Sequence, residues 1–100
     1  TPKERLFEAQ QRKGNMEIEQ LRVFLTLADT KSFTRAAERL FVSHSTVSRC
    51  LSSLEDELGA RLIERDNRVL GLTPAGERLR ERAQELLRLA DEMAEEIRSM

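Results

Sequence analysis

A mainly α-helical fold is what this sequence predicts: three short helices, a small two-stranded hairpin and one long closing helix. Three observations predict it. Apolar residues recur three and four apart through residues 17–58, the period that lines one face of an α-helix. Between Arg61 and Leu72 that period breaks, and short apolar pairs flank a polar dipeptide. From Thr73 the period resumes and runs without a stop to Met100.

The bulk properties bound what such a fold can be. One hundred residues make one small domain, two at most. A chain this short buries only about 60–65% of its unfolded surface, so a partner chain would help its core. Charged residues are 35% and hydrophobic residues 39% of the chain, which suits a soluble helical protein with a highly charged surface. The single Cys50 excludes an internal disulfide and suits a reducing cytoplasm, the expected location. No apolar run approaches the ~20 residues of a membrane span, and residues 1–15 hold no apolar signal core.

Thr1–Asn15 is polar and ends in the break Gly14-Asn15. It reads as a leader, native or left from expression; a short helix using Leu6 and Phe7 is the alternative. Glu17–Thr30 places Ile18, Leu21, Phe24, Leu25 and Ala28 at helical spacing. Ser32 or Thr34 caps a second, shorter helix that buries Phe33, Ala36, Ala37 and Leu40. The adjacent alanines are small where two helices must cross closely. Phe41-Val42 forms the following turn, with both side chains expected to face the core.

Ser43 is a good N-cap for a third helix running to about Leu58. Its buried stripe is Val47, Leu51, Leu54 and Leu58, and Gly59 stands where a positive-φ residue ends a helix. Opposite the stripe lie His44, Ser45, Ser48, Arg49 and Ser52, all short or hydrogen-bonding. In the next segment Leu62-Ile63 and Val69-Leu70 flank the turn candidate Asp66-Asn67. This is a small β wing, or else an irregular loop. Thr73 then caps the long helix, with Pro74 at N1 where its missing N–H costs nothing.

Along that helix Leu79, Ala83, Leu86, Ala90, Met93 and Ile97 follow spacings of 4, 3, 4, 3 and 4, the pattern of an a/d seam. Opposite charges three apart, such as Glu77–Arg80, Arg82–Glu85, Glu85–Arg88 and Glu95–Arg98, line its outside. Residues 74–97 would span about 36 Å. A three-helix domain cannot cover so long a stripe, so most of it must meet another chain.

Two short helices joined by a tight break, the second opening with small polar residues, make the layout of a helix-turn-helix. The second helix of that motif enters the major groove of DNA. The net charge of −1 and pI near 5.9 argue mildly against nucleic acid. The distribution qualifies that argument. Residues 31–73 carry seven Lys/Arg against six acids, and residues 74–100 five Arg against seven acids. Any basic face must therefore arise from three-dimensional sorting.

These residues closely resemble the N-terminal DNA-binding domain of LysR-type transcriptional regulators. The likeness covers Met16 to Met100. It rests on LRVFLTLADTKSFTRAAERLFVS, the following Ser-x-x-x-Ser-Arg, LEDELGARL, and LTPAG at the start of the long helix. The resemblance implies a winged helix-turn-helix over residues 16–73, with the motif itself at about 33–52. It implies a linker and dimerisation helix over 74–100 that pairs antiparallel with its copy. It also implies a further C-terminal domain that binds a small-molecule effector, which this chain would lack, and no cofactor in the chain itself. Three positions depart from the family pattern. His44-Ser45 replaces a usual Gln-Pro, Ile63 a frequent Phe, and Cys50 a frequent Gln. The first departure falls where bases are read, so a family-typical operator does not carry over.

Candidate DNA-contacting residues follow by position. Thr34 and Arg35 start the second helix, where a hydroxyl and helix N-terminal amides suit a phosphate; Thr34 as a mere cap is the plainer reading. His44, Ser45, Thr46, Ser48, Arg49 and Ser52 lie on the recognition helix. Arg49 suits guanine O6 and N7 or, alternatively, a phosphate. Arg65 and Arg68 beside the wing turn suit the minor groove or its phosphates, or are solvated loop charges. Leu79, Ala83, Leu86, Ala90, Met93 and Ile97 are the expected dimer interface. No metal site and no catalytic residues are expected.

Competing classes fit less well. For an enzyme, Ser43-His44-Ser45 is the only place where a nucleophile and a base adjoin, with no elbow or acid to organise them. A coiled-coil interaction module without DNA binding is the main alternative, favoured by the acidic pI and opposed by the polar face around Arg49. Stacking on RNA is disfavoured because Tyr and Trp are absent and Phe24, Phe33 and Phe41 are assigned inside. Cys50 as a redox sensor lacks a resolving second cysteine and reads better as a space-filler.

Overall fold

The computed structural model describes residues 16–65 and 71–100. Four helices and one strand pair follow in order: α1 (Ile18–Thr30), α2 (Phe33–Leu40), α3 (His44–Leu58), β1 (Ile63–Glu64), β2 (Gly71–Leu72) and α4 (Pro74–Arg98). This is the mainly α, winged helix-turn-helix architecture with a long closing helix. The expected leader, residues 1–15, lies outside the described residues.

Local chemistry sets each boundary. The Glu17 N–H donates to Gln20 Oε1 at 2.8 Å and opens α1. Ser32, not Thr34, caps α2: its hydroxyl accepts from the Arg35 N–H at 3.2 Å. The Ser43 hydroxyl accepts from Thr46 N–H at 3.1 Å, and the Thr73 hydroxyl from Gly76 N–H at 3.0 Å. Each side chain thus satisfies a donor that the first helical turn leaves orphaned. Helices α1, α2 and α3 all stop on left-handed residues: Lys31 (φ 56), Phe41 (φ 58) and Gly59 (φ 64). Only the last is glycine, so the other two carry a conformational cost.

The core joins Val23, Phe24 and Leu27 of α1, Ala36 and Ala37 of α2, Val47, Leu51 and Leu54 of α3, and Leu62 and Ile63 at the wing. Ala36 is fully buried, so the helices do cross where the side chains are smallest. Helix α1 packs against α2, α3 and α4. Its buried arc is therefore wide enough to include Val23 and Leu27, while Ile18, at its start, remains 44% exposed.

Two apolar assignments are corrected. Phe41 is 94% exposed, and Val42 is exposed too, instead of both facing the core. The left-handed turn lets the Val42 N–H reach Ala37 O at 3.0 Å, and that geometry swings the Phe41 side chain outward. Leu58 is exposed as well, whereas Glu55, on the same stripe, is buried.

The hairpin is shifted along the chain. Ile63 pairs with Leu72 and Glu64 with Gly71, antiparallel; Asp66 to Leu70, including the expected turn and Arg68, lie outside the described residues. The wing is tied to the start of α4 by Thr73, whose N–H donates to Leu62 O at 3.1 Å and whose hydroxyl donates to Arg61 O. Gly76 completes that joint, because a methyl group there would overlap the Leu62 carbonyl. Backbone must move to admit it, so Gly76→Ala should destabilise the fold by about 2 kcal/mol despite alanine's better helix propensity. Urea denaturation with an unchanged midpoint would contradict this close approach.

The stripe along α4 divides in two. Gly76, Ala83 and Leu87 are buried and Leu79 packs against the core, so the first half faces its own domain. Leu86, Leu89, Met93 and Ile97 are 41–67% exposed, and Ala90 is half-buried. Arg22 of α1 reaches Asp91 at 3.6 Å across the same joint. Of the four intrahelical pairs expected, Arg82–Glu85 closes, at 3.8 Å, and the other three do not bridge.

Candidate nucleic-acid interface

The buried stripe of α3 turns Val47, Leu51 and Leu54 inward, and helical geometry then presents the opposite face outward. His44, Ser45, Arg49 and Ser52 are exposed there, with Thr46 and Ser48 half-buried. Thr46 is partly committed: its hydroxyl lies 2.9 Å from that of Ser43. Arg49 folds back, its Nε–H donating to Ser45 O at 3.4 Å. Thr34 and Arg35 are exposed on the first turn of α2. The Phe33 and His44 rings, with centroids 5.4 Å apart, bridge the first turns of α2 and α3. The fold thus gathers Thr34, Arg35, His44 and Ser45 at one corner, from which Arg49 and Ser52 continue along α3.

No acidic residue stands in the first turn of α3, so the start of this surface offers hydrogen-bonding groups without a carboxylate among them. Arg39, on the outer side of α2, is paired with Asp29 of α1. An overall acidic composition therefore coexists with a locally donor-rich helix face, because many acids sit on α4 and in ion pairs.

Arg65 stands beside the wing and is partly exposed, and it also makes an ion pair. Its guanidinium lies 2.7 Å from Glu55 Oε1. The other carboxylate oxygen of Glu55 accepts from the Leu62 N–H at 2.7 Å and the Ile63 N–H at 3.4 Å. Arg65 therefore helps to fasten the wing to α3. Glu55 itself was legible only as an anomaly, an acid four residues after Leu51 on an otherwise apolar stripe.

Cys50 is half-buried against the core. Burial pushes its thiol above the usual range, and the carboxylates of Glu19 and Glu17 add to the effect. A raised thiol holds less thiolate, the reactive form, which supports the space-filling role over the sensor.

Comparison with known proteins places this geometry. The family model described as the lysR-family bacterial regulatory helix-turn-helix protein matches residues 18–77. A transcriptional regulator of Shigella flexneri, YfeR, is 44% identical over 84 residues, 84% of this chain and 26% of its own length. The transcriptional activator IlvY of Salmonella typhimurium is 47% identical over 72 residues, 72% of this chain and 24% of its own. The chain thus spans about a quarter of the length of these curated relatives. Among solved structures, the BenM DBD in complex with catB site 1 DNA is similar at a TM-score of 0.82 and 36% identity, over 84% of this chain and 94% of that one. The CbnR DBD–DNA complex is similar at 0.80 and 37%, over 84% and 97%.

Proposed function

Because the chain belongs to the lysR family of bacterial regulatory helix-turn-helix proteins, we propose that it binds a pseudo-palindromic operator in duplex DNA as a homodimer and regulates transcription. The observation that carries this reading is the outward, donor-rich face of α3 (His44, Ser45, Arg49, Ser52) beside the exposed start of α2. A recognition helix offers such a face to the major groove, while the residues before it grip phosphate. The exposed second half of α4 supplies the pairing surface, and two-fold pairing presents two recognition helices to two half-sites. The similar DNA complexes support this reading.

In this proposal residues 16–73 are the DNA-binding head and 74–100 the dimerisation helix. Thr34 and Arg35 touch the backbone, and His44, Ser45, Ser48, Arg49 and Ser52 face base edges, with Thr46 divided between cap and contact. The chain carries out no catalysis and uses no cofactor or metal of its own; a small-molecule effector belongs to the rest of such a regulator. No helix among the described residues is long and apolar enough to cross a membrane, and a cytoplasmic location follows from the DNA target.

Gel shifts at low salt with genomic fragments test the reading. At least one fragment should be bound at least tenfold more tightly than random duplex, since specific sites gain about 10³-fold or more. If every fragment only matches random duplex, operator binding is refuted, and the interaction-module reading takes its place.

A further inference from the structure

His44 is the chain's only histidine, and the fold holds it in place before any ligand arrives. It is the first residue of α3 and is exposed. Its ring lies against that of Phe33, with centroids 5.4 Å apart and planes inclined by 37°. Phe33 is the first residue of α2 and packs on the hydrophobic core. One side of the imidazole is therefore backed by an aromatic ring that is itself anchored. A side chain held this way gives up less rotamer freedom on binding.

Its neighbours narrow what it can read. Thr46 is engaged with Ser43, and Arg49 bends back to Ser45. Of the exposed first-turn residues, His44 has the longer side chain with a hydrogen-bonding tip, Ser45 the shorter. No carboxylate stands in that turn, and the first acid along α3 is the buried Glu55. The first turns of the face therefore carry no acceptor-only group: Arg49 only donates, an imidazole N–H donates, and the serine hydroxyls turn either way. Guanine shows two acceptors, N7 and O6, to the major groove, cytosine a donor, and adenine one acceptor beside one donor. Guanine is the base that offers an N–H donor two adjacent acceptors in the major groove, with no competing donor between them.

We infer that His44 reads a guanine through an imidazole N–H donated to its major-groove acceptors, and that Phe33 is the residue that positions it. The inference deepens the operator-binding reading above and rests on it.

Selection of duplexes from a randomised library with this chain, followed by single replacements of guanine by 7-deazaguanine, tests it. That analogue keeps base pairing and phosphates and removes only the N7 acceptor. The wild-type chain should lose about fivefold in affinity at one guanine per half-site. His44→Ala should bind that duplex more weakly and no longer distinguish the analogue. Phe33→Leu keeps apolar contact with the core but no ring; it should lose the discrimination while its salt dependence stays that of wild type. His44 is exposed, so the alanine variant folds and the test does not depend on Phe33→Leu.

Three results would overturn the assignment. One is His44→Ala weakening all duplexes equally and lowering the salt slope by about one, the mark of a phosphate contact. Another is His44→Ala still discriminating against the analogue as wild type does. The third is a folded Phe33→Leu retaining full discrimination, which would remove Phe33 from the positioning role. Failure to select any duplex over random sequence would instead refute operator binding itself.

Discussion

Leu86→Glu should convert the protein to a folded monomer and reduce operator affinity by about 10²-fold or more. The residue stands in the exposed row Leu86, Leu89, Met93 and Ile97 of α4, while its neighbours Ala83 and Leu87 are the ones that pack on the domain. In a two-fold pair the same residue is contributed by both chains, so one substitution buries two carboxylates. Each unpaired charge taken from water costs several kcal/mol, more than the apolar contact it displaces. The head should remain folded, because the inward neighbours Ala83 and Leu87 are untouched. Leu87→Ala is the converse: it removes a buried side chain and should cost about 2–3 kcal/mol of stability with the oligomeric state unchanged. Sedimentation velocity reads both effects, with circular dichroism to confirm helicity. A Leu86→Glu species that sediments like wild type would refute this surface as the pairing seam.

The second large effect is expected at Glu55. Glu55→Ala should destabilise the fold by about 3 kcal/mol. The side chain is buried to 8% exposure, and its two oxygens receive the Leu62 and Ile63 N–H groups and the Arg65 guanidinium. Alanine leaves the Leu62 N–H without an acceptor in a buried place, and an orphaned donor there costs about 1–3 kcal/mol. Arg65, 35% exposed at its side chain, can turn to water, so its loss adds less than a fully buried pair would. Glu55→Gln retains an acceptor for the Leu62 amide and should recover more than half of the stability. Glu55→Leu fills the space but cannot accept, and should behave like alanine. Denaturant midpoints at constant m-value separate the three; a leucine variant as stable as glutamine would show that packing, not hydrogen bonding, makes Glu55 matter.

How much of this was legible follows from the range of each interaction. Helix starts at Ser43 and Thr73 and the stop at Gly59 were readable, and the start of α2 narrowed to Ser32 or Thr34, because a cap acts over three or four residues of local chain. The crossing at Ala36-Ala37 was readable because small side chains in a helical stripe have few other uses. Phe41 was misread because apolar character points inward on average, whereas its left-handed φ at the end of α2 points the ring to solvent. The wing register was displaced because two-residue strands carry almost no periodicity to align them.

The candidate DNA-contacting residues divide along the same line. The exposed face of α3 could be read as the complement of its buried stripe, since one periodicity defines both. Arg65 could not, because its partner Glu55 lies ten residues earlier and meets it only when the wing folds back on α3. The contact between Phe33 and His44 likewise needs the angle between two helices, which no spacing states.

Sequence alone therefore determined the order of helices, most of their caps, the outward face of α3 and the existence of a surplus apolar stripe on α4, all consequences of local chain geometry and period. Tertiary structure decided which residues of that stripe serve the core and which it leaves exposed. It also committed Arg65 to the wing and gave His44 its backing ring. Those outcomes depend on long-range packing, where burial and desolvation select among side chains that look equivalent along the chain.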